Sequence, residues 1–358
     1  VRELTVALPG RDSSYQVRLA WGLRYRLAAE LAPLSLPRRL FVVTDQTVAR
    51  LHADHVLAGL KAGGYDPQLL TVPPGEKSKS WRQVTALTRE LLARGADRTT
   101  ALMALGGGVV GDLTGLVASL FMRGLPLIQV PTTLLAMVDA SIGGKTAINL
   151  PEAKNLLGTF HQPRLVAIDP EFLQTLPPRE RLNGLAEVLK AGFIREAELL
   201  KLVENLGPRL FQDRESLSEV IFRAAAIKAG IVAADEREGD VRRLLNFGHT
   251  LGHALEAASR YRLPHGQAVA HGMIAALCLS RRLTGLSAGS WEAGVRLIRN
   301  LGLARRPPGV PPEAVLAALG HDKKRQAGEL VFVLLRDLGA AEIVRGVPLE
   351  LVAEVLPR

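Results

Sequence analysis

Over the first 170 residues, short apolar runs rich in β-branched residues alternate with stretches of helical spacing. The runs are Leu4–Leu8, Leu40–Thr44, Leu69–Val72, Thr100–Leu105, Leu127–Val130 and Leu165–Ile168, with helical patterns such as Val48–Ala62 and Trp81–Ala93 between them. This alternation predicts a mainly parallel sheet wrapped by helices, a Rossmann-like α/β arrangement. After Asp169 the strand signals stop, and Pro170, Pro177 and Pro178 punctuate a link. Long helical patterns follow at Arg181–Ile194, Ser216–Ala234, Thr250–Ser259 and Val269–Leu283. A second proline-rich loop, Pro307–Pro312, precedes a short helix and a closing run, Leu330–Leu335, of strand character. The expectation is an α/β domain over residues 1–172 and an all-α domain over residues 173–358, a division that suits a chain of 358 residues.

No apolar run approaches the length of a membrane span, and Val1–Gly10 lacks the apolar core of a signal peptide. The single cysteine, Cys278, cannot form an intrachain disulfide or a cysteine-rich metal site, which points to the cytoplasm. Lys and Arg number 45 against 35 Asp and Glu, a formal charge of +10. Aromatic residues are only 4% of the chain and the cations are dispersed, which argues against nucleic-acid binding. Only ten of the 45 cations are lysines. In a chain that uses Arg by default, each Lys is a candidate for point contacts to phosphate or hydroxyl oxygens.

Chemistry concentrates at three places. The run Thr100–Leu105 enters Gly106-Gly107-Gly108-Val109-Val110-Gly111-Asp112, and Leu113–Phe121 then reads as a helix. A strand, a glycine turn and a helix start present backbone N–H groups to an anion, although this is neither G-x-G-x-x-G nor a Walker A loop. Ser141–Thr146 contains Gly143-Gly144-Lys145-Thr146, but Asp139 stands where a Walker A glycine is required, so an ATPase is rejected. Lys145, Lys154 and Asn155 remain as a polar stretch suited to an anionic partner. Four of the eight histidines fall between residues 249 and 271. His249 and His253 share a helical face with Glu256, and His265 follows. Imidazoles without thiolates suit Zn²⁺ in an open site, and Glu187, in an otherwise apolar stretch, is the candidate carboxylate. His271, inside an apolar helix, reads as a core residue.

Collinear short motifs then carry a resemblance. Gly75-Glu76-Lys77, Gly106–Asp112, Arg123-Gly124, Gln129–Leu135, Asp139 with Gly143–Thr146, Lys154-Asn155, Thr175–Glu180, Ala186–Lys190, Asp235-Glu236, Leu245–His253, His265-Gly266 and His321–Lys324 resemble the 3-dehydroquinate synthase family over nearly the whole chain. Ala140 departs from a common serine, and Leu116 and Ser119 from more usual residues.

The resemblance implies NAD at Asp45, Glu76, Lys77, Gly107, Gly108, Val109, Asp112, Thr132, Thr133, Asp139 and Thr175, with Lys145 and Lys154 beside it. It implies Zn²⁺ (or Co²⁺) on Glu187, His249 and His265, with His253 adjacent as a substrate contact. Substrate carboxylate, hydroxyls and phosphate are assigned to Asp139, Lys145, Lys154, Asn155, Lys190, Lys228, Arg242, Asn246, Lys323 and Lys324. Arg123 is expected from a partner subunit, making a homodimer. The implied reaction converts 3-deoxy-D-arabino-heptulosonate 7-phosphate to 3-dehydroquinate and phosphate, in the shikimate route to aromatic amino acids, with NAD regenerated. Rival readings are a related sugar-phosphate cyclase acting on a substrate without a carboxylate, an NAD- and metal-dependent polyol dehydrogenase, and a nucleic-acid-binding protein.

Overall fold

The computed structural model describes residues 1–8, 14–150, 153–304, 309–320 and 330–356. The chain divides into two compact units. One comprises Val1–Pro177 with Lys228–Arg237, and the other Pro178–Ile227 with Glu238–Arg358.

The first unit is built on seven strands: β1 (Arg2–Val6), β2 (Tyr15–Leu19), β3 (Arg39–Asp45), β4 (Asp66–Val72), β5 (Thr100–Gly106), β6 (Leu127–Pro131) and β9 (Leu165–Ile168). Their order is β1-β2-β9-β6-β5-β3-β4, parallel throughout except for the β1–β2 pair. Every residue of β5, β6 and β9 is buried. Strands covered on both faces read as continuous apolar runs, which is why these were visible in the sequence. β2 was not, because Tyr15, Val17 and Leu19 alternate with the half-exposed Gln16 and Arg18 in a run of only five residues. Phe41, Val43, Leu70, Leu87, Leu91, Leu102, Leu113 and Val117 form the core between sheet and helices. The connections run outward to β4 on one side and to β6 on the other, so the order reverses between β3 and β5. At such a reversal the carboxyl ends of the strands leave a crevice. Asp45, the Gly106–Gly108 turn and Thr132-Thr133 all stand at those ends.

A two-stranded antiparallel ribbon, β7 (Lys145–Leu150) and β8 (Ala153–Phe160), carries Lys145, Lys154 and Asn155, which the sequence showed only as a polar stretch. The helix after β5 begins at Gly108 rather than Leu113 and ends at Leu120. Its first turn is glycine-rich and therefore gave no helical pattern.

The second unit is helix-rich, as expected. Helices span Pro178–Arg195, Ala197–Leu206, His249–Ala258, His265–Leu283, Ala288–Asn300 and Pro312–Gly320, and the Arg214–Ala234 helix begins in this unit. The Leu330–Leu335 signal becomes β10 (Val331–Asp337), paired with β11 (Ala340–Arg345), so the unit is not purely α. Glycines allow the central helices to meet closely. A Cβ on Gly272 would lie 1.9 Å from the Gly248 carbonyl oxygen, and one on Gly266 would lie 2.6 Å from the Cα of Asn183. The first contact joins His265–Leu283 to the start of His249–Ala258, and the second joins it to Pro178–Arg195. Among the described residues, no helix is long and apolar enough to cross a membrane.

Candidate active site

Those three helices bring Glu187, His249 and His265 together, with ligand atoms all within 4.8 Å of one another. Nε2 of His249 lies 3.4 Å from Glu187 Oε1, and Nε2 of His265 lies 3.3 Å from the same oxygen. The opposite ring nitrogens point elsewhere. His249 Nδ1 faces the Phe247 carbonyl at 3.1 Å, and His265 Nδ1 faces Glu256 Oε2 at 3.2 Å. Donation from each Nδ1 leaves each Nε2 lone pair free for the common centre, the arrangement that metal-binding histidines require.

The electrostatics agree. Burial would raise Glu187, but the Lys190 ammonium paired with it and the two imidazoles hold its carboxyl well below the ordinary range. Burial pushes His249 down, favouring a neutral ring. Burial works the same way on His265, yet its bonds to Glu187 and Glu256 outweigh it and raise that ring to about 10. Two buried carboxylates thus demand positive charge at His265, and a divalent cation on Nε2 supplies it. The donor set, one carboxylate oxygen and two imidazoles, fits Zn²⁺ or Co²⁺ with coordination positions left open. His253 is exposed and stacks edge-on to His249, its ring 5.3 Å away. Lys190 and Arg242 are almost fully buried, at 3% and 1% exposure. Asn246 donates to Glu238 at 3.1 Å. His271 is buried in its helix, as a core residue should be.

In the first unit the glycine loop forms the N-terminus of a 13-residue helix with Gly107 as its N-cap. Gly106–Gly108 have no positive φ, so space rather than conformation explains them. A Cβ on Gly106 would strike Val110 at 2.6 Å, and one on Gly107 would touch Thr133 at 3.0 Å. The bare turn leaves backbone N–H groups open to an anion such as a pyrophosphate. Around it, Asp45 caps the helix after β3 through Thr47 and Val48, and Thr133 caps the turn at Ala136. Asp139 pairs with Lys228, which belongs to this unit although 89 residues away in sequence. Thr132 is buried and Val109 lies in the first helical turn. Thr175 bonds His52, and Glu76 accepts from Asn149. Lys145 is exposed on β7, Lys154 and Asn155 lie on β8, and Lys77 is exposed. Arg123 follows the glycine-loop helix with a φ of 70°. Lys323 and Lys324, with His321, lie outside the described residues.

Comparison with known proteins decides the family. The sequence profiles described as 3-dehydroquinate synthase N-terminal and C-terminal match residues 69–183 and 184–325. The chain belongs to the 3-dehydroquinate synthase family. A 3-dehydroquinate synthase of Nostoc punctiforme is 41% identical over 99% of this chain and 98% of its own length. That of Rhodospirillum rubrum is 47% identical over 96% and 91%. Among solved structures, 2-epi-5-epi-valiolone synthase of Streptomyces hygroscopicus, with NAD⁺ and Zn²⁺ bound, superposes with a TM-score of 0.89 at 32% identity over 96% of both chains. A 2-deoxy-scyllo-inosose synthase complexed with carbaglucose-6-phosphate, NAD⁺ and Co²⁺ gives 0.88 at 26% identity over 99% of both. A probable glycerol dehydrogenase from Sinorhizobium meliloti, 16% identical with a TM-score of 0.67, shares the fold alone.

Within this family member, sequence reasoning passed over two residues. Lys79 is buried, 2.5 Å from Asp112 Oδ2, and also donates to Asn155. Asn149 accepts from the Asn155 N–H at 2.9 Å and donates to Glu76 at 2.8 Å. The scarcity of lysine was the available signal for Lys79. Nothing in its spacing separated it from the exposed Lys77.

Proposed function

We propose that this chain is a 3-dehydroquinate synthase, a carbon–oxygen lyase that converts 3-deoxy-D-arabino-heptulosonate 7-phosphate to 3-dehydroquinate and phosphate. The observation that carries it is the convergence of Glu187, His249 and His265 on one centre in a chain of this family. Near full-length identity of 41–47% to 3-dehydroquinate synthases, against 26–32% to the two other cyclases, favours this substrate over theirs.

When bound, NAD accepts and returns a hydride at one substrate carbon while a divalent metal acidifies the hydroxyl being oxidised. The rest falls to the chain. Glu187, His249 and His265 hold the metal, and Lys190 keeps Glu187 ionised. The Gly107–Val109 backbone and the helix dipole behind it receive the cofactor pyrophosphate, with Thr132, Thr133, Asp112 and Thr175 around it. Lys145, Lys154, Lys228, Arg242 and Asn246 orient the carboxylate, hydroxyls and phosphate of the sugar acid, and Lys323 or Lys324 adds to them. These fixed cations favour departure of phosphate, whose own oxygens serve as base. Their grip keeps the reacting groups together through ring opening and aldol closure.

The enzyme acts as a cytoplasmic homodimer in this reading. Leu120, Met122, Leu156, Leu157 and Phe160 are 39–47% exposed around the β7–β8 ribbon and the end of the glycine-loop helix, next to Arg123. Such a patch suits a partner subunit.

Incubation with the heptulosonate phosphate, substoichiometric NAD and Zn²⁺ tests the assignment. Phosphate and dehydroquinate should appear together in equal amounts without NADH accumulating. Stoichiometric NADH, or turnover only with a sugar phosphate that lacks a carboxylate, would overturn it.

A further inference from the structure

Glu256 is a buried carboxylate, 4% exposed, on the helix that carries His249 and His253. A carboxylate there needs a partner. One is His265 Nδ1, 3.2 Å from Oε2. The same ring faces Glu187 through Nε2 at 3.3 Å, so each of its nitrogens points at a carboxylate. His265 also needs this hold more than its neighbours do. Its side chain is 31% exposed, against 10% for His249 and 1% for Glu187, and it is the first residue of its helix. Packing encloses the other two ligands more fully, whereas His265 relies more on its polar contacts, beside its ring contacts with His249 and His253. The His249 ring is oriented by a neutral backbone carbonyl, but the His265 ring faces a charged group, which also strengthens the donor power of Nε2.

A different role for Glu256 must be weighed. His253, Glu256 and His265 form a second group with ligand atoms within 4.8 Å. Coordination there would use His265 Nδ1. A ring that keeps one proton cannot offer both nitrogens, and Nε2 already converges with His249 Nε2 on a single Glu187 oxygen. The geometry points to Glu256 as a positioning residue that accepts from His265 Nδ1–H and so aims the Nε2 lone pair at the metal. This rests on the metal site proposed above at Glu187, His249 and His265.

The test compares full-length wild type, Glu256→Met, Glu256→Gln and His249→Ala. Apparent Zn²⁺ affinity is read by competition with a chromophoric chelator, and geometry by the visible spectrum of the Co²⁺ form. Methionine fills the space without an acceptor, and glutamine restores a carbonyl acceptor. Glu256→Met should lose about 10- to 100-fold in affinity and shift the Co²⁺ bands. Glu256→Gln should recover most of that affinity and keep the wild-type bands. Wild-type affinity in Glu256→Met would overturn the proposal. So would a loss in Glu256→Gln as deep as in His249→Ala, which would make Glu256 a direct ligand. Undiminished metal binding by His249→Ala would instead overturn the metal site itself, whatever the Glu256 variants do.

Discussion

Lys79 Nζ lies 2.5 Å from Asp112 Oδ2, and the same ammonium donates to Asn155, so one buried cation ties the glycine-loop helix to the β7–β8 ribbon. Burial pushes the Asp112 carboxyl up, and Lys79 opposes that. Removing one member of a buried pair leaves the other uncompensated, at a cost of roughly 3 kcal/mol. Lys79→Met should therefore lower unfolding stability by about that much and weaken NAD binding. Adding Asp112→Asn should recover part of the stability but not the NAD affinity. Urea unfolding and NAD titration check both. Unchanged values in Lys79→Met would mean that the pair contributes nothing.

The metal ligands and the ribbon lysine should separate in their effects. His249→Ala removes a donor from the Glu187 centre and should purify without Zn²⁺, losing at least a hundredfold in rate. Lys145 is exposed on β7 and carries an ammonium, which has no lone pair to offer a metal. Lys145→Ala should retain one Zn²⁺ per chain and lose rate through weaker hold on the substrate. Metal analysis beside steady-state rates decides, and the opposite pattern would exchange the two roles.

How much of this could be read in advance follows from what each signal requires. β5 and β9 are buried on both faces, so continuous apolar runs announced them. The β7–β8 ribbon exposes Leu156, Leu157 and Phe160 and mixes them with lysines and glycine, so no period of two survives. His249 and His265 stood out by type and clustering. Their convergence with Glu187 depends on three helices meeting at Gly248, Gly272, Gly266 and Asn183, a tertiary fact that no local spacing encodes. Lys79 and Lys77 sit two residues apart in one short turn, and only the fold shows that Lys79 is the one turned inward.

Gly272 is the contact on which the histidine geometry depends. An added methyl there would meet the Gly248 carbonyl oxygen at 1.9 Å and the Gly252 nitrogen at 2.9 Å, and both are backbone atoms that cannot rotate away. Gly272→Ala should cost about 3 kcal/mol or more and displace His249, lowering metal content in whatever protein still folds. Gly230 supplies the contrast, since a Cβ there, four residues before the end of its helix, would meet nothing within 4 Å. Gly230→Ala should raise stability by up to about 1 kcal/mol. Parallel thermal melts test the pair, and equal losses in both variants would show that helix propensity and not the crossing sets the outcome.

His52 offers a pH signature away from the metal. Thr175 Oγ1 donates to the Phe172 carbonyl at 3.0 Å, so His52 Nε2, 2.9 Å away, must be the donor to that hydroxyl. Burial, aided by the Arg24 charge, pushes the His52 ring from an ordinary 6.5 down to about 4. Between those values the unfolded chain binds a proton at this position and the folded chain does not. Stability from this group is therefore complete above pH 6.5 and lost as pH falls through 4. Its contribution to the slope is at most ~1.4 kcal/mol per pH unit. Glutamine at this position can still donate to Thr175 but cannot titrate. His52→Gln should accordingly leave stability near pH 7 within about 1 kcal/mol and flatten its decline between pH 6.5 and 4. Urea midpoints across that range measure it. Parallel declines in the two proteins would mean that His52 titrates normally and that its ring, rather than its proton, is what orders Thr175.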